Sequence, residues 1–387
     1  MLRPFKTLAM ALCVGTATLL ATAGHAQETP FKIGVILPLT GSTAWGGQPA
    51  KMAAELAASE VNAQKLAGKF KVELVFADGA CEPRTSYAAA EKLIKQEQVQ
   101  ALIGEWCSSA SVAIAQVAND AKIPYIVQIS TADGIAKNAG PYVFQSVMEN
   151  KAIQHREGEL LLKKFKFKSA AILVENNDFG LSFRKNVRET FEQANIKIAI
   201  DIPQDRQDTN WYSVIARIQG ASPDIVVVSI SAGQAANFVK QYAESNVKIP
   251  MFSDYPPPPY IFEKQVGLQA GKIGLVRGAF FLNGPDATPE QKAFVAKFEP
   301  IVEKATGQKR PTVHWDIVTY DAVMMAADAL KRSDSAKADD FIKALATTKY
   351  DGVLGHYEFD KDREVKPEGF EFQFIRDKAD GTLEVVK

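Results

Sequence analysis

The sequence predicts an α/β fold made of two doubly wound parallel-sheet lobes. Three observations carry that expectation. Short, continuous apolar runs of strand length alternate with stretches whose apolar residues recur at helical spacing, the signature of βαβ units. The alternation restarts near residue 150. The chain is 387 residues long, beyond the ~250–300 residues that one hydrophobic core serves.

Taken in order, the first 26 residues stand apart. Arg3 and Lys6 give a basic start. The apolar run 8–21 falls short of the ~20 residues a membrane span needs, and Gly24-His25-Ala26 supplies a small-x-small cleavage pattern. The segment reads as a signal peptide, and the remainder as an exported, soluble protein. Cys13 follows Leu12 rather than a small residue, which argues against a lipid anchor.

KIGVILP (32–38) reads as a strand covered on both faces. A Gly-rich loop follows, and a helix is expected from Pro49, a residue suited to a first turn. Ala53, Leu56, Ala57 and Val61 form its buried stripe. KVELVFAD (71–78) is a strand, 85–97 a helix, QALIGE (100–105) a strand, 109–121 a helix and PYIVQIS (124–130) a strand. Beyond PYVFQSV (141–147) come a helix at 151–165, the strand SAAILVE (169–175) and a helix at 181–194. IKIAIDI (196–202) and DIVVVSI (224–230) are strands flanking a helix at 212–219. A helix at 234–245 and the strand KIGLVRGAFFL (272–282) complete the second series, and YPPPPY (255–260) reads as polyproline II. Helices at 291–306, 315–331 and 339–347 follow, the second with Trp315, Val318, Ala322, Met325 and Ala329 as its stripe. GHYEFD (355–360) and GFEFQFIRD (369–377) close the chain as strands.

Composition excludes several functions. Lys+Arg and Asp+Glu both number 45, so no charge excess draws the chain to nucleic acid or anionic lipid. Beyond the leader, histidine occurs only at 155, 314 and 356, with no zinc spacing. There is no Gly-x-Ser-x-Gly elbow. GLQAGKI (267–273) is one residue short of a phosphate loop and has Ile273 where a hydroxyl is required, so it reads as a turn. No catalytic, metal or cofactor site is expected. Cys81 and Cys107 remain as an even pair in an oxidising compartment, which favours a disulfide over a reactive thiol. Cys107 also lacks a nearby histidine to activate it.

In a parallel sheet, ligands sit beyond the carboxyl ends of the strands. The loops there carry Trp45, Trp106 to Ser109, Ser130 and Thr131, Asn177 to Phe179, Ser231 and Tyr255. Ser108 or Ser109 either caps the helix that follows or, with the free N–H groups of its first turn, holds a carboxylate without any lysine or arginine. Trp45 and Trp106 are either core residues or pocket walls, and strand-end loops favour the latter.

ADGACEPRTS (77–86) and GEWCSSAS (104–111), with IGVILPLTG, ENNDFG, SPDIVVVS and TYDAVMMAADAL, resemble the type I periplasmic binding proteins of ABC importers, in the leucine/isoleucine/valine-binding branch. The likeness runs over nearly the whole mature chain. It implies a Cys81–Cys107 bridge and two lobes joined by three hinge strands. The amino-terminal lobe would hold residues 27–149 and 284–357, and the carboxyl-terminal lobe 150–283 and 358–387. It further implies that Ser108 and Thr131 bind a ligand carboxylate, with Ile129 offering backbone groups. Trp45 and Phe179 would wall the pocket, and Trp106 would touch the ligand side chain. Relatives often carry a tyrosine where this chain has Ser231. Where amino-acid-binding relatives place an acid for the α-ammonium, Tyr255 aligns, next to Asp254. A buried ammonium without a carboxylate partner is costly, so an aromatic carboxylate such as a benzoate or phenylpropenoid acid is expected. A branched-chain or other hydrophobic amino acid is the alternative, restored if Asp254 takes the place of Tyr255. The partners implied are the small carboxylate and an inner-membrane permease, with the protein acting as a monomer. A sensory subunit presenting the same ligand to a signalling receptor is a third reading, and a hydrolase would rest on Ser108 alone.

Overall fold

The computed structural model describes residues 28–205, 209–254, 259–279, 287–371, 373–378 and 383–386. The leader segment and Tyr255 lie outside them. In chain order the first series is β1 (Thr29–Leu37), α1 (Ala44–Gln64), β2 (Phe70–Asp78), α2 (Pro83–Lys95), β3 (Ala101–Gly104), α3 (Ser108–Asp120), β4 (Tyr125–Val127), α4 (Ile135–Ala139) and β5 (Val143–Gln145). The second is α5 (Asn150–Lys164), β6 (Ser169–Glu175), α6 (Asp178–Gln193), β7 (Lys197–Gln204), α7 (Tyr212–Ala221), β8 (Ile225–Ser229), α8 (Ala232–Glu244), β9 (Met251–Ser253), α9 (Pro259–Ile273) and β10 (Val276–Ala279). Then come α10 (Pro289–Thr306), α11 (His314–Ser333), α12 (Ala338–Ala346), β11 (Lys349–Asp351), β12 (His356–Glu358), β13 (Gln373–Asp377) and β14 (Leu383–Val385).

The two sheets share one plan. The first is ordered β2-β1-β3-β4-β5, all parallel. The second repeats it as β7-β6-β8-β9-β10, with β13 and β14 added antiparallel at the β10 edge. Each sheet is covered on both faces, which is why inner strands such as β3, β4 and β8 are apolar almost throughout. Phe31, Ile33, Val35 and Leu37 of β1 enter the core beneath α1 and α11, while Ile36 enters the core beneath α2 and α3. Each such side chain, fully buried, contributes about 1.5–3 kcal/mol. In the second sheet Ala171 and Leu173 pack beneath α7, α8 and α9, and Ala170, Ile172 and Val174 beneath α5 and α6.

The last third divides between the lobes. Phe294, Phe298, Ile317, Val323, Phe341 and Leu345 of α10, α11 and α12 join the first core, as do Tyr357, Phe359, Val365 and Phe370. Phe374 belongs to the second. The described crossings between lobes therefore run from Gln145 to Asn150 and from Phe370 to Phe374, and a parallel bridge joins Gln145 to Glu364 beside them.

Several expected elements differ. Helix α1 starts at Ala44 rather than at Pro49, which sits in its second turn. The earlier start depends on Gly47, where a Cβ would lie 2.0 Å from the Pro38 carbonyl oxygen. GLQAGKI is the end of α9 and not a turn. Val266 and Ala270 pack into the second core, and that burial outweighs the helix-weakening glycines. GHYEFD pairs with β11 in a separate hairpin. Among the described residues no helix is long and apolar enough to cross a membrane.

Candidate functional site

Doubly wound sheets leave a crevice where the strand order reverses. That point lies between β1 and β3 in the first sheet and between β6 and β8 in the second. Loops from both reversal points line one cavity of about 530 Å³ between the lobes, within the ~300–1,000 Å³ usual for small-molecule sites. Trp45, Trp106, Ser108, Ile129, Thr131, Phe179 and Ser231 all line it.

The first-lobe corner is built at the start of α3. Cys107, not a serine, occupies the N-cap position, and no side chain caps the helix. Ser108 is 3% exposed, and its Oγ accepts a hydrogen bond from the Ala132 N–H at 3.2 Å. Its O–H, still available as a donor, has no acceptor among the described residues. The Thr131 carbonyl accepts the Asn150 N–H at 2.6 Å, while the Thr131 hydroxyl has no partner among the described residues. The first N–H groups of α3 have no intrahelical partner, as at any helix start. Neutral donors thus converge on one corner.

A disulfide joins Cys81 to Cys107. Beneath it lies Glu105, fully buried, whose carboxylate accepts the Cys107 N–H at 2.7 Å and the Cys81 N–H at 3.2 Å. Cys81, Glu105 and Cys107 are close enough to hold a metal ion, but the disulfide occupies both sulfurs and the carboxylate is engaged. Sequence spacing does not single out Glu105. An acid at the end of a buried strand, flanked by loops, was the available signal. Ser130 and Tyr125 both hydrogen-bond the Ser111 hydroxyl, and Ser111 and Ser130 bond the Glu105 backbone, fixing the ends of β3 and β4.

Trp45 and Trp106 meet edge to face, with centroids 5.2 Å apart, and Trp106 contacts Trp315 of α11 at 5.5 Å. Such pairs contribute about 0.5–1.5 kcal/mol each beyond their burial. Gly46 makes room for this: a Cβ there would fall 2.4 Å from the Trp106 ring. His314 packs on Trp315, and burial pushes its imidazole down to about 3, so it stays neutral below the aromatic wall.

The second-lobe wall is polar. Asn177 caps α6, its Oδ1 accepting the Gly180 N–H at 3.0 Å. Its Nδ2 donates to Glu175 at 2.7 Å, and the Ser231 N–H donates to the other Glu175 oxygen at 2.9 Å. Glu175 also lines the cavity and was not picked out from the sequence. Asp254 does not line it. Gln154 and Ser229 donate to that carboxylate at 3.1 Å each. Burial raises the Asp254 carboxyl above its ordinary value and that of its neighbour Glu157 well above it. The lobes touch at one edge of the cavity. The Asp133 N–H donates to Ser182 Oγ at 3.1 Å, and Asn186 Nδ2 donates to the Asp133 carboxylate at 2.6 Å.

The model of the periplasmic binding protein family matches residues 30–373. The chain belongs to the periplasmic binding protein family. This periplasmic binding protein is 24% identical over 367 residues to an amino acid binding protein of Pseudomonas aeruginosa, with 94% of each chain covered. In fold it is similar to a leucine-binding protein from Thermotoga maritima, at 19% identity and a TM-score of 0.81, covering 92% of this chain and 98% of that one. It is also similar to an ABC transporter solute-binding protein from R. palustris in complex with benzoate, at 24% identity and a TM-score of 0.79, covering 92% and 95%. These likenesses carry the fold expected from the cysteine loops, the type I arrangement of two parallel-sheet lobes.

Proposed function

We propose that this periplasmic binding protein captures an aromatic carboxylate, such as a benzoate or a phenylpropenoid acid, and delivers it to an inner-membrane ABC permease. The observation that carries this reading is a corner of neutral donors set directly beside a tryptophan wall. The carboxylate would take the Ser108 and Thr131 hydroxyls and the free N–H groups of α3, with Ile129 supplying backbone alongside. The helix dipole favours the anion there. The ring would lie against Trp45, Trp106 and Phe179, in the cavity that Ser231 also lines. A guest that touches both lobes binds the closed form more strongly and shifts the population toward it. The benzoate held by the R. palustris protein of the same fold supports this choice.

A second reading, a hydrophobic amino acid, is favoured by one observation: Glu175 places a carboxylate on the cavity wall, where an ammonium would find a partner. The names of the Pseudomonas aeruginosa and Thermotoga maritima proteins accord with it. A thermal-shift screen of aromatic acids against amino acids, followed by titration calorimetry, separates the two. Ligand at a hundred times its dissociation constant stabilises the protein by about 2.7 kcal/mol. Micromolar binding of leucine or phenylalanine with no heat from any aromatic acid overturns the first reading.

A further inference from the structure

The cavity holds two acids in different settings. The first lobe presents neutral donors at its corner and an exposed acid, Glu82, whereas the second lobe presents Glu175, 3% exposed. No lysine or arginine lines the cavity among the described residues. Glu175 accepts one hydrogen bond on each oxygen, from the Ser231 N–H at 2.9 Å and from Asn177 Nδ2 at 2.7 Å. A carboxylate has about four lone-pair positions, so acceptor capacity remains, and no cation among the described residues neutralises the charge. A buried charge held only by neutral donors is costly.

The group is also fixed in place. Gly180 lies so close that a Cβ there would fall 2.1 Å from the Glu175 carbonyl oxygen, seating the first turn of α6 on the Glu175 backbone. Asn177 caps that turn with one atom and holds the carboxylate with the other. A guest acid brings a further negative charge into the same cavity. Its charge and that of Glu175 are tolerated together when the guest also carries a proton donor that reaches Glu175.

We propose that Glu175 is a specificity-determining residue that accepts a hydrogen bond from a hydroxyl on the ligand ring, so that hydroxylated aromatic acids are the preferred guests. This rests on the aromatic-acid reading above.

The test is calorimetry with benzoate, 3-hydroxybenzoate, 4-hydroxybenzoate and leucine on the wild-type protein and on Glu175→Gln. Glutamine keeps an acceptor for the Ser231 N–H, so the fold should persist, and the melting temperature of the empty variant checks this. At least one hydroxybenzoate should bind roughly 10- to 100-fold tighter than benzoate, the range for a hydrogen bond to a charged acceptor. In Glu175→Gln that gap should shrink at least fivefold while benzoate affinity holds or improves. Equal affinity for benzoate and both hydroxybenzoates, or a gap that survives the substitution, overturns the inference and leaves the aromatic-acid reading standing. Heat from leucine alone overturns both.

Discussion

Replacing Ser108 by alanine separates two duties of one hydroxyl. As an acceptor it satisfies the buried Ala132 N–H at 3.2 Å. As a donor it faces the cavity. Losing the acceptor leaves a buried N–H unpaired, at a cost of about 1–3 kcal/mol to the empty protein. For a domain of this size each kcal/mol lowers the melting temperature by about 2–4 °C, so the empty Ser108→Ala variant should melt about 2–12 °C lower. Losing the donor removes one charge-assisted hydrogen bond to the guest carboxylate, which should weaken binding roughly 10- to 100-fold. Thermal melts of the empty protein read the first effect. Titration calorimetry with the tightest acid from the screen reads the second. A variant that melts lower as expected yet binds that acid within twofold of the wild type refutes the anion corner, since the hydroxyl would then serve the fold alone.

Other tests address stability and packing. Asp321 is fully buried and accepts the Val353 and Leu354 N–H groups and the Tyr357 hydroxyl, each at 2.9 Å. Burial outweighs those bonds and raises its carboxyl from 3.8 to about 6. The folded state therefore holds a proton that the unfolded chain releases near pH 4. The stabilisation is complete below that pH and is lost as the pH climbs through 6, by about 3 kcal/mol at 1.36 kcal/mol per pH unit. Urea unfolding of wild type and Asp321→Asn at pH 4, 5, 6 and 7 should give a stability difference that moves by this amount, and a difference constant with pH contradicts it. Removing the Cys81–Cys107 bridge, which closes a loop of 26 residues, in a double serine variant should cost about 3 kcal/mol. The same urea titration measures this, and a loss under 1 kcal/mol would mean that Glu105 alone holds the two loops. Gly46→Ala should destabilise by about 1–3 kcal/mol through overpacking against Trp106, with a change in tryptophan fluorescence. A variant as stable as the wild type would mean that the ring has another place to go.

The alternation of apolar runs and helical stripes made both lobes legible, because strands buried on two faces leave no polar residues between them. The carboxyl ends of the strands then pointed to Trp45, Trp106, Ser108, Thr131, Phe179 and Ser231, which line one cavity, since strand ends need only the order of elements. What escaped depends on contacts remote in sequence. Helix α9 carries Gly267 and Gly271 and looks like a turn until Val266 and Ala270 are seen in the core. Helix α1 gains its early start from Gly47 lying against Pro38. Glu105 and Glu175 read as ordinary strand-end acids, because their meaning lies in backbone donors from Cys81 and Ser231. Local spacing does not reveal which distant N–H will face a given carboxylate.

Asp133 lies two residues beyond Thr131, on the same short loop. That loop lines the cavity with Thr131 and grips α6 of the opposing lobe, through Ser182 and Asn186, with Asp133. On the proposed function, the work of shutting the protein would be folded into every measured affinity, since a receptor shut only part of the time binds more weakly by that fraction. Sequence drift at Asp133, Ser182 or Asn186 would loosen or tighten the hold on all solutes alike and leave their ranking untouched. Strength of capture and choice of cargo are thus tunable at separate addresses in this molecule.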